Sequence, residues 1–154
     1  MTIEDDIAFF ERVPTLSMLG RGALRILAIG AESRYVHSGE TLFKVGDDAD
    51  SGYVVQEGSF NLTPRAADNG KATRVGVGTL LGELALFTET TRPVTATALE
   101  PSTVLRIPRP LFLKMLDGYP DAAIRLRDIL AKRITESERD MQKIRTVLDG
   151  VGQK

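Results

Sequence analysis

The chain has 154 residues, 42% of them hydrophobic and 27% charged, which suits one globular domain with a substantial core. A formal net charge of −1 gives no basic footprint for nucleic acid, and no apolar run is long enough to cross a membrane. The absence of cysteine and the presence of one histidine, His37, exclude disulfides, iron–sulfur ligation and multi-histidine metal sites. We therefore expect a cytoplasmic protein with no nucleic-acid or membrane partner and no bound metal.

Residues 1–32 are predicted to form a helical segment. Thr2 is a good N-cap, and acidic residues follow it in the first turn. Apolar residues ahead of Pro14, and again ahead of Gly30, indicate two short helices. Both are interpreted as packing elements.

Residues 33–108 have the composition of a β-structure. Strand-like segments lie at 35–36, 41–45, 53–55, 60–63, 73–77, 94–99 and 103–107, separated by turns such as Asn69-Gly70. The alternation in residues 95–99 predicts one buried face. The chain as a whole (1–154) is expected to be a single α+β domain. Many short strands between turns indicate an antiparallel sandwich or a jelly-roll barrel, and we expect the barrel, flanked by N-terminal helices and a long C-terminal helix.

The stretch 80–95, called the cassette below, combines features of a ligand site. Gly82 lets backbone approach a ligand, and Glu83 can accept a hydrogen bond from a sugar hydroxyl. A single apolar helical turn follows, and free N–H groups at a helix start favour an anion. Arg92, ten residues after Gly82, offers a planar fork of donors that matches phosphate. Sugar and phosphate in one cradle indicate a nucleotide.

The cassette sequence, Gly-Glu-Leu-Ala-Leu from Gly82 and Arg-Pro-Val-Thr from Arg92, resembles the phosphate-binding cassette of cyclic nucleotide-binding domains. The resemblance covers about Phe9 to Arg139, including the Gly39-Glu40 and Gly46-Asp47 turns. It implies that Glu83 holds the ribose 2′-hydroxyl and that Arg92 holds the cyclic phosphate. It also implies that backbone N–H groups around Leu84 and Ala85 contribute to holding the phosphate. The expected ligand-binding residues are Gly82, Glu83, Leu84, Ala85, Arg92, Pro93, Val94 and Ser137.

Pro93 departs from the family pattern. The usual small residue has a backbone N–H that can meet the phosphate, and proline has none. Proline also lacks the hydroxyl that cGMP-preferring relatives often place beside the arginine. The resemblance therefore implies cAMP as the ligand, with cGMP as the open alternative, and no further cofactor.

Residues 109–150 are predicted to be helical. A short apolar segment, Leu111 to Leu116, precedes a long helix with Asp121 as its N-cap. In the catabolite-activator branch of the family, the position of Ser137 carries a threonine that contacts adenine; a surface helix residue is the alternative. Apolar residues around Ser137 approximate a heptad spacing, which allows a homodimer through this helix, although packing on the barrel fits equally well.

The leading functional hypothesis is a cyclic-nucleotide receptor module. Family behaviour implies that the ligand draws the cassette inward and moves a hinge near Leu111 to Leu116. The long helix then closes over the purine and alters a contact with itself or with an unknown effector protein. The alternative is a nucleotide-free docking or assembly domain of the same fold.

An enzyme is not expected. Metal-dependent jelly-roll enzymes need clustered histidines, and no nucleophile–base arrangement stands out, so no catalytic residue is assigned. Two of the predicted binding residues also have an alternative interpretation without a ligand. Glu83 could be a strand-end acid that faces water, and Arg92 could be a solvated loop arginine. Lys71, Arg74, Arg106 and Arg109 are interpreted as solvated surface residues.

Overall fold

The computed structural model describes residues 2–66, 70–132 and 147. The chain begins with helices α1, Ile3–Phe10, and α2, Arg21–Gly30. Thr2 caps α1 through a capping box, because its hydroxyl accepts from the Asp5 N–H while the Asp5 carboxylate accepts from the Thr2 N–H. Both predicted N-terminal helices are therefore confirmed.

Ten strands lie among the described residues and form antiparallel sheets. Their bounds are β1 Glu32–Val36, β2 Thr41–Phe43, β3 Asp48–Ala49, β4 Ser51–Glu57, β5 Phe60–Pro64, β6 Thr73–Val75, β7 Leu80–Leu81, β8 Thr90–Thr91, β9 Val94–Ala98 and β10 Ser102–Pro108. Two four-stranded sheets have the orders β1-β10-β4-β7 and β2-β9-β5-β6, and β3 pairs with β8. The predicted jelly-roll barrel is confirmed, and each predicted strand segment falls on a strand. The two-residue strands β3, β7 and β8 were not predicted.

Two apolar cores position the cassette. The barrel core lies inside the sheets and includes Ala96 and Ala98, the buried face that the alternation in β9 predicted. The helical core lies between the helices and the outward-facing residues of β4 and β10. Leu81 belongs to the barrel core, whereas Leu86 belongs to the helical core. The cassette therefore spans the junction between the two cores.

The described C-terminal helices are α3, Arg109–Gly118, and α4, Pro120–Lys132. The prediction that Asp121 caps the second helix is wrong. The helix already begins at Pro120, whose fixed φ suits a first helical position, and Asp121 lies inside the first turn. None of the described helices combines the length and the apolar character that crossing a membrane requires. Ser137, Asn69 and the predicted heptad row after Leu130 fall outside the described residues.

Candidate functional site

The cassette turn is a 3₁₀ helix, Glu83–Leu86, which confirms the single helical turn predicted after Gly82. Gly82 starts it in the left-handed region, with φ +76° and ψ 39°, a conformation that strongly favours glycine. The Ala85 N–H donates to the Gly82 carbonyl at 3.0 Å, so in this structure that amide is used inside the turn. Ala85 is buried, and Leu84 packs against the helical core, so both side chains fix the turn in place.

The backbone of Arg92 is fixed by the turn between β2 and β3. Its N–H donates to the Asp47 carbonyl, and its carbonyl accepts from the Gly46 N–H, both at 2.8 Å. Asp47 closes that turn itself, since its carboxylate accepts from the Lys44 N–H at 3.0 Å. The side chain of Arg92 is 3% exposed, and among the described residues it is the only buried charged side chain. The alternative of a solvated loop arginine does not hold.

The guanidinium of Arg92 lies over two aromatic rings of the barrel core. Its central carbon is 4.4 Å from the ring centroid of Phe43 and 5.5 Å from that of Tyr53, within cation–π range. Nη2 donates a long hydrogen bond, 3.4 Å, to the Ser51 hydroxyl. Burial lowers the pKa of the Arg92 guanidinium, against the opposing influence of Tyr53 and Asp50.

One donor of this buried cation has no partner among the residues that the structure describes. Nη1 of Arg92 is the only buried side-chain nitrogen or oxygen of the described residues that makes no hydrogen bond. Leaving a buried polar group unpaired costs about 1–3 kcal/mol, and more when the group is charged. The unused donor of Arg92 is therefore available to an anion of matching geometry.

Gly82 and Arg92 form one unit. A methyl group placed on Gly82 would overlap Nη1 of Arg92, so the guanidinium lies directly against the glycine backbone. The cassette thus needs glycine at this position for two reasons, its positive φ and the space that Arg92 occupies. These two predicted site residues come together in the structure.

Glu83 is directed elsewhere, toward the segment that follows α1. The hydroxyl of Thr15 donates to Oε2 of Glu83 at 2.5 Å, and Thr15 is 4% exposed. Thr15 has φ +79°, an outlier for a β-branched residue that carries a strain of about 1–3 kcal/mol. Glu83 is therefore no solvated strand-end acid, since its carboxylate is held by a buried hydroxyl.

The remaining predicted site residues are Pro93, Val94 and Ser137. Pro93 is exposed just before β9, and Val94 is half-buried at the start of β9 against the barrel core. Ser137 lies outside the described residues, so its proposed contact with a base stays a prediction. In the part of the chain that the structure describes, no group of three or more metal-binding side chains comes together.

The interpretation of Arg109 as a solvated surface residue is wrong. Its Nε donates to the Ala85 carbonyl at 2.8 Å, and its Nη2 donates to the Ala49 carbonyl. Its backbone N–H, at the start of α3, donates to the Asp50 carbonyl at 2.9 Å. Arg109 therefore ties the cassette turn to the first C-terminal helix.

Sequence reasoning missed Arg109, Thr15, Ser51, Phe43 and Tyr53 as members of the site. Phe43 and Tyr53 could have been predicted, because each lies in a predicted strand and an aromatic side chain that points inward can stack on a buried cation. Thr15 gave no signal, since a threonine with positive φ has no sequence pattern of its own. Arg109 gave none either, because its partners are backbone carbonyls distant in sequence.

Comparisons with known proteins find similarity to one family. A family model for the cyclic nucleotide-binding domain matches residues 33–119. A cyclic nucleotide-binding-like protein from Brucella abortus is 35% identical, with a TM-score of 0.63 over 73% of this chain and 98% of its own. The N-terminal domain of a transcriptional regulator from Streptomyces coelicolor is 30% identical, with a TM-score of 0.72 over 81% of this chain and 91% of its own.

A much larger relative matches over part of its length. Lysophospholipase nte1 of Neurospora crassa is 32% identical over 101 residues, which is 64% of this chain. The match spans about 7% of the length of that enzyme. The similarity therefore concerns one part of the lysophospholipase.

Proposed function

The chain belongs to the cyclic nucleotide-binding domain family, and on this premise we propose that it is a receptor module for cAMP, with cGMP the weaker ligand. The observation that carries the proposal is the buried guanidinium of Arg92, whose Nη1 has no partner in the described part of the chain. The alternative, a nucleotide-free docking or assembly domain, gives this unpaired buried donor no role.

The cyclic phosphate is the group that Arg92 fits. A cyclic phosphodiester carries one negative charge, so a single buried arginine would neutralise it, and the planar fork can donate to two of its oxygens. The aromatic faces of Phe43 and Tyr53 hold the cation without competing for its N–H donors. Gly82 leaves the backbone bare beside Nη1, so no side chain there blocks a phosphate oxygen.

The sugar and the base are assigned to other residues. Glu83, at the start of the cassette turn, would accept a hydrogen bond from the ribose 2′-hydroxyl. Pro93 has neither an N–H nor a hydroxyl to offer the nucleotide, which supports the preference for cAMP. Ser137 is proposed to contact the purine from the C-terminal helix.

The regulatory output is proposed to run through α3. Arg109 joins the carbonyl of Ala85 to the start of this helix, and the ring of Phe87 in the cassette meets that of Phe112 in α3 at 5.3 Å between centroids. A nucleotide that draws the cassette inward would then shift α3 and the helix after it, provided that it binds the two arrangements unequally. The shifted surface would contact a second copy of the chain or a separate effector, and no catalytic role is proposed.

Isothermal titration calorimetry of the nucleotide-free protein with cAMP and cGMP tests the proposal. Micromolar or tighter binding of cAMP that is lost in Arg92→Ala supports a receptor whose phosphate site is Arg92. Binding that survives in Arg92→Ala would overturn the assignment of the cassette. Absence of heat and of thermal stabilisation with either nucleotide would overturn the receptor function in favour of the docking module.

A further inference from the structure

The carboxylate of Glu83 is already engaged by a hydroxyl of the protein. Thr15 carries a secondary alcohol, as the 2′ carbon of ribose does, and its Oγ1 donates to Oε2 of Glu83 at 2.5 Å. The distance is that of a charge-assisted hydrogen bond between a hydroxyl and a carboxylate. Thr15 therefore makes the same kind of contact with Glu83 that the proposed function gives to the sugar.

The Thr15 hydroxyl is held in place by the packing of the segment around it. Val13 and Leu16 are fully buried in the helical core, and the Leu16 N–H donates to the Val13 carbonyl at 3.1 Å. Further along, Arg125 of α4 donates to the carbonyls of Met18 and Leu19 at 2.8 and 3.1 Å. Between these anchors Thr15 is fixed with φ +79°, so its hydroxyl is not a mobile surface group.

The two polar residues of the proposed site point to different cores. Arg92 lies on the aromatic rings of the barrel core, whereas Thr15, the partner of Glu83, lies among residues of the helical core. A nucleotide bound through its phosphate at Arg92 would present its sugar from the barrel side. Glu83 borders a cavity of about 290 Å³ on the side of Thr15, lined also by Pro14, Thr15, Gly78, Thr79 and Leu80.

We propose that Thr15 is a specificity-determining residue, whose hydroxyl competes with the ribose 2′-hydroxyl for the carboxylate of Glu83. This inference depends on the proposed function, since it concerns the sugar of the same nucleotide. Ribose binding then exchanges one hydroxyl–carboxylate bond for another of the same kind. As a result, the protein distinguishes a ribonucleotide from its 2′-deoxy analogue only weakly.

Calorimetric titration of the full chain with cAMP and with 2′-deoxy-cAMP tests the inference. Thr15→Ala should bind cAMP about three- to tenfold more tightly than wild type, the size of one net hydrogen bond, while its affinity for 2′-deoxy-cAMP stays unchanged. Thr15→Ser keeps a hydroxyl and should behave as wild type. Thr15→Gly removes the hydroxyl and accepts a positive φ, so it should reproduce the selective gain even if alanine impairs folding.

Each other result overturns a stated part of this scheme. Weaker cAMP binding by Thr15→Ala would show that Thr15 positions Glu83 for the sugar, contrary to the inference. An equal change for both nucleotides would show an effect on the fold rather than on ribose recognition. If neither the wild-type protein nor any variant binds either nucleotide, the proposed function is wrong and the inference is wrong with it. If both nucleotides bind and the Thr15 variants bind them as the wild type does, only the inference is wrong.

Discussion

The proposed site has a phosphate half, Arg92 beside Gly82, and a sugar half, Glu83 with Thr15. The two halves differ in the hydrogen bonds that a ligand would gain from them. In the phosphate half, Arg92 is buried, and its backbone N–H and carbonyl are both hydrogen-bonded. Its Nη1 has no partner within residues 2–66, 70–132 and 147, which the structure describes. In the sugar half, Glu83 already has the hydroxyl of Thr15. A phosphate oxygen would therefore add a hydrogen bond, whereas a ribose hydroxyl would only replace one. We infer that the phosphate half dominates the affinity and that the sugar half adjusts it.

The largest expected effect comes from removing the phosphate half. Arg92→Ala should weaken cAMP binding by about tenfold to a hundredfold or more, because a hydrogen bond to a charged group contributes about 1.5–3 kcal/mol. Arg92→Lys keeps the charge without the planar fork, so its affinity for cAMP should lie between those of the wild type and Arg92→Ala. Calorimetric dissociation constants decide the outcome, and wild-type affinity in Arg92→Ala would reverse the ranking of the two halves.

The next effect concerns the turn that both halves share. Arg109→Ala removes donors from the Ala85 and Ala49 carbonyls and should lower the free energy of unfolding by about 1–3 kcal/mol. Arg106→Ala is the matched control, since Arg106 pairs with exposed carboxylates of Glu32 and Asp50 and should cost about 1 kcal/mol or less. Urea unfolding measures both, and equal losses would mean that Arg109 does not anchor the turn.

A smaller effect separates backbone strain from the space that Arg92 needs. Gly82→Ala forces alanine into a positive φ, at about 1 kcal/mol, and also places a methyl group against Nη1 of Arg92. Gly39→Ala has a similar φ, +84°, with open space around the added methyl group. Thermal unfolding should show a loss of stability in both variants, the larger one in Gly82→Ala, whereas calorimetry should show weaker cAMP binding only for Gly82→Ala. Weaker binding in both variants would contradict the close contact of Gly82 with Arg92.

The smallest expected effect concerns Asp50, which is linked to Arg92 through Ser51. Asp50 accepts from the Ser51 hydroxyl, which in turn accepts from Nη2 of Arg92. Burial raises the pKa of Asp50, but the hydrogen bond from Ser51 and the charge of Arg106 together lower it below its ordinary value. A carboxyl group whose folded pKa is lowered stabilises the fold above its unfolded pKa, near 3.9, and this contribution disappears as the pH falls further.

Asp50→Asn should therefore be slightly less stable than wild type at pH 7, and the difference should shrink as the pH falls below about 4. Urea unfolding at pH 7 and at pH 3 gives the comparison. A difference that grows toward acid pH would mean that the folded protein raises the pKa of Asp50 instead.

The barrel could be predicted because its signals are local. Strand residues between glycine-rich turns, the alternation around Ala96 and the Thr2 cap each depend on a few neighbouring positions. Gly82 and Arg92 could be assigned to one site because the cassette resembles the phosphate-binding cassette of cyclic nucleotide-binding domains. The strands β3, β7 and β8 could not be predicted, since two residues of ladder leave no periodicity to detect.

What the sequence could not supply are contacts between distant segments. The bond from Thr15 to Glu83 joins residues 68 positions apart, and that from Arg109 to Ala85 joins residues 24 apart. Both depend on how the helical core packs against the barrel, which no local pattern encodes. The Asp121 cap failed for a local reason, because Pro120 started the helix earlier than the sequence signal placed it.

The most direct test of the difference between the two halves is a crystal structure of the protein with cAMP bound. The predicted result is a cyclic phosphate oxygen within hydrogen-bonding distance of Nη1 of Arg92, with Glu83 turned from Thr15 to the ribose 2′-hydroxyl. A phosphate that lies away from Arg92, or a Glu83 that still accepts from Thr15, would contradict it.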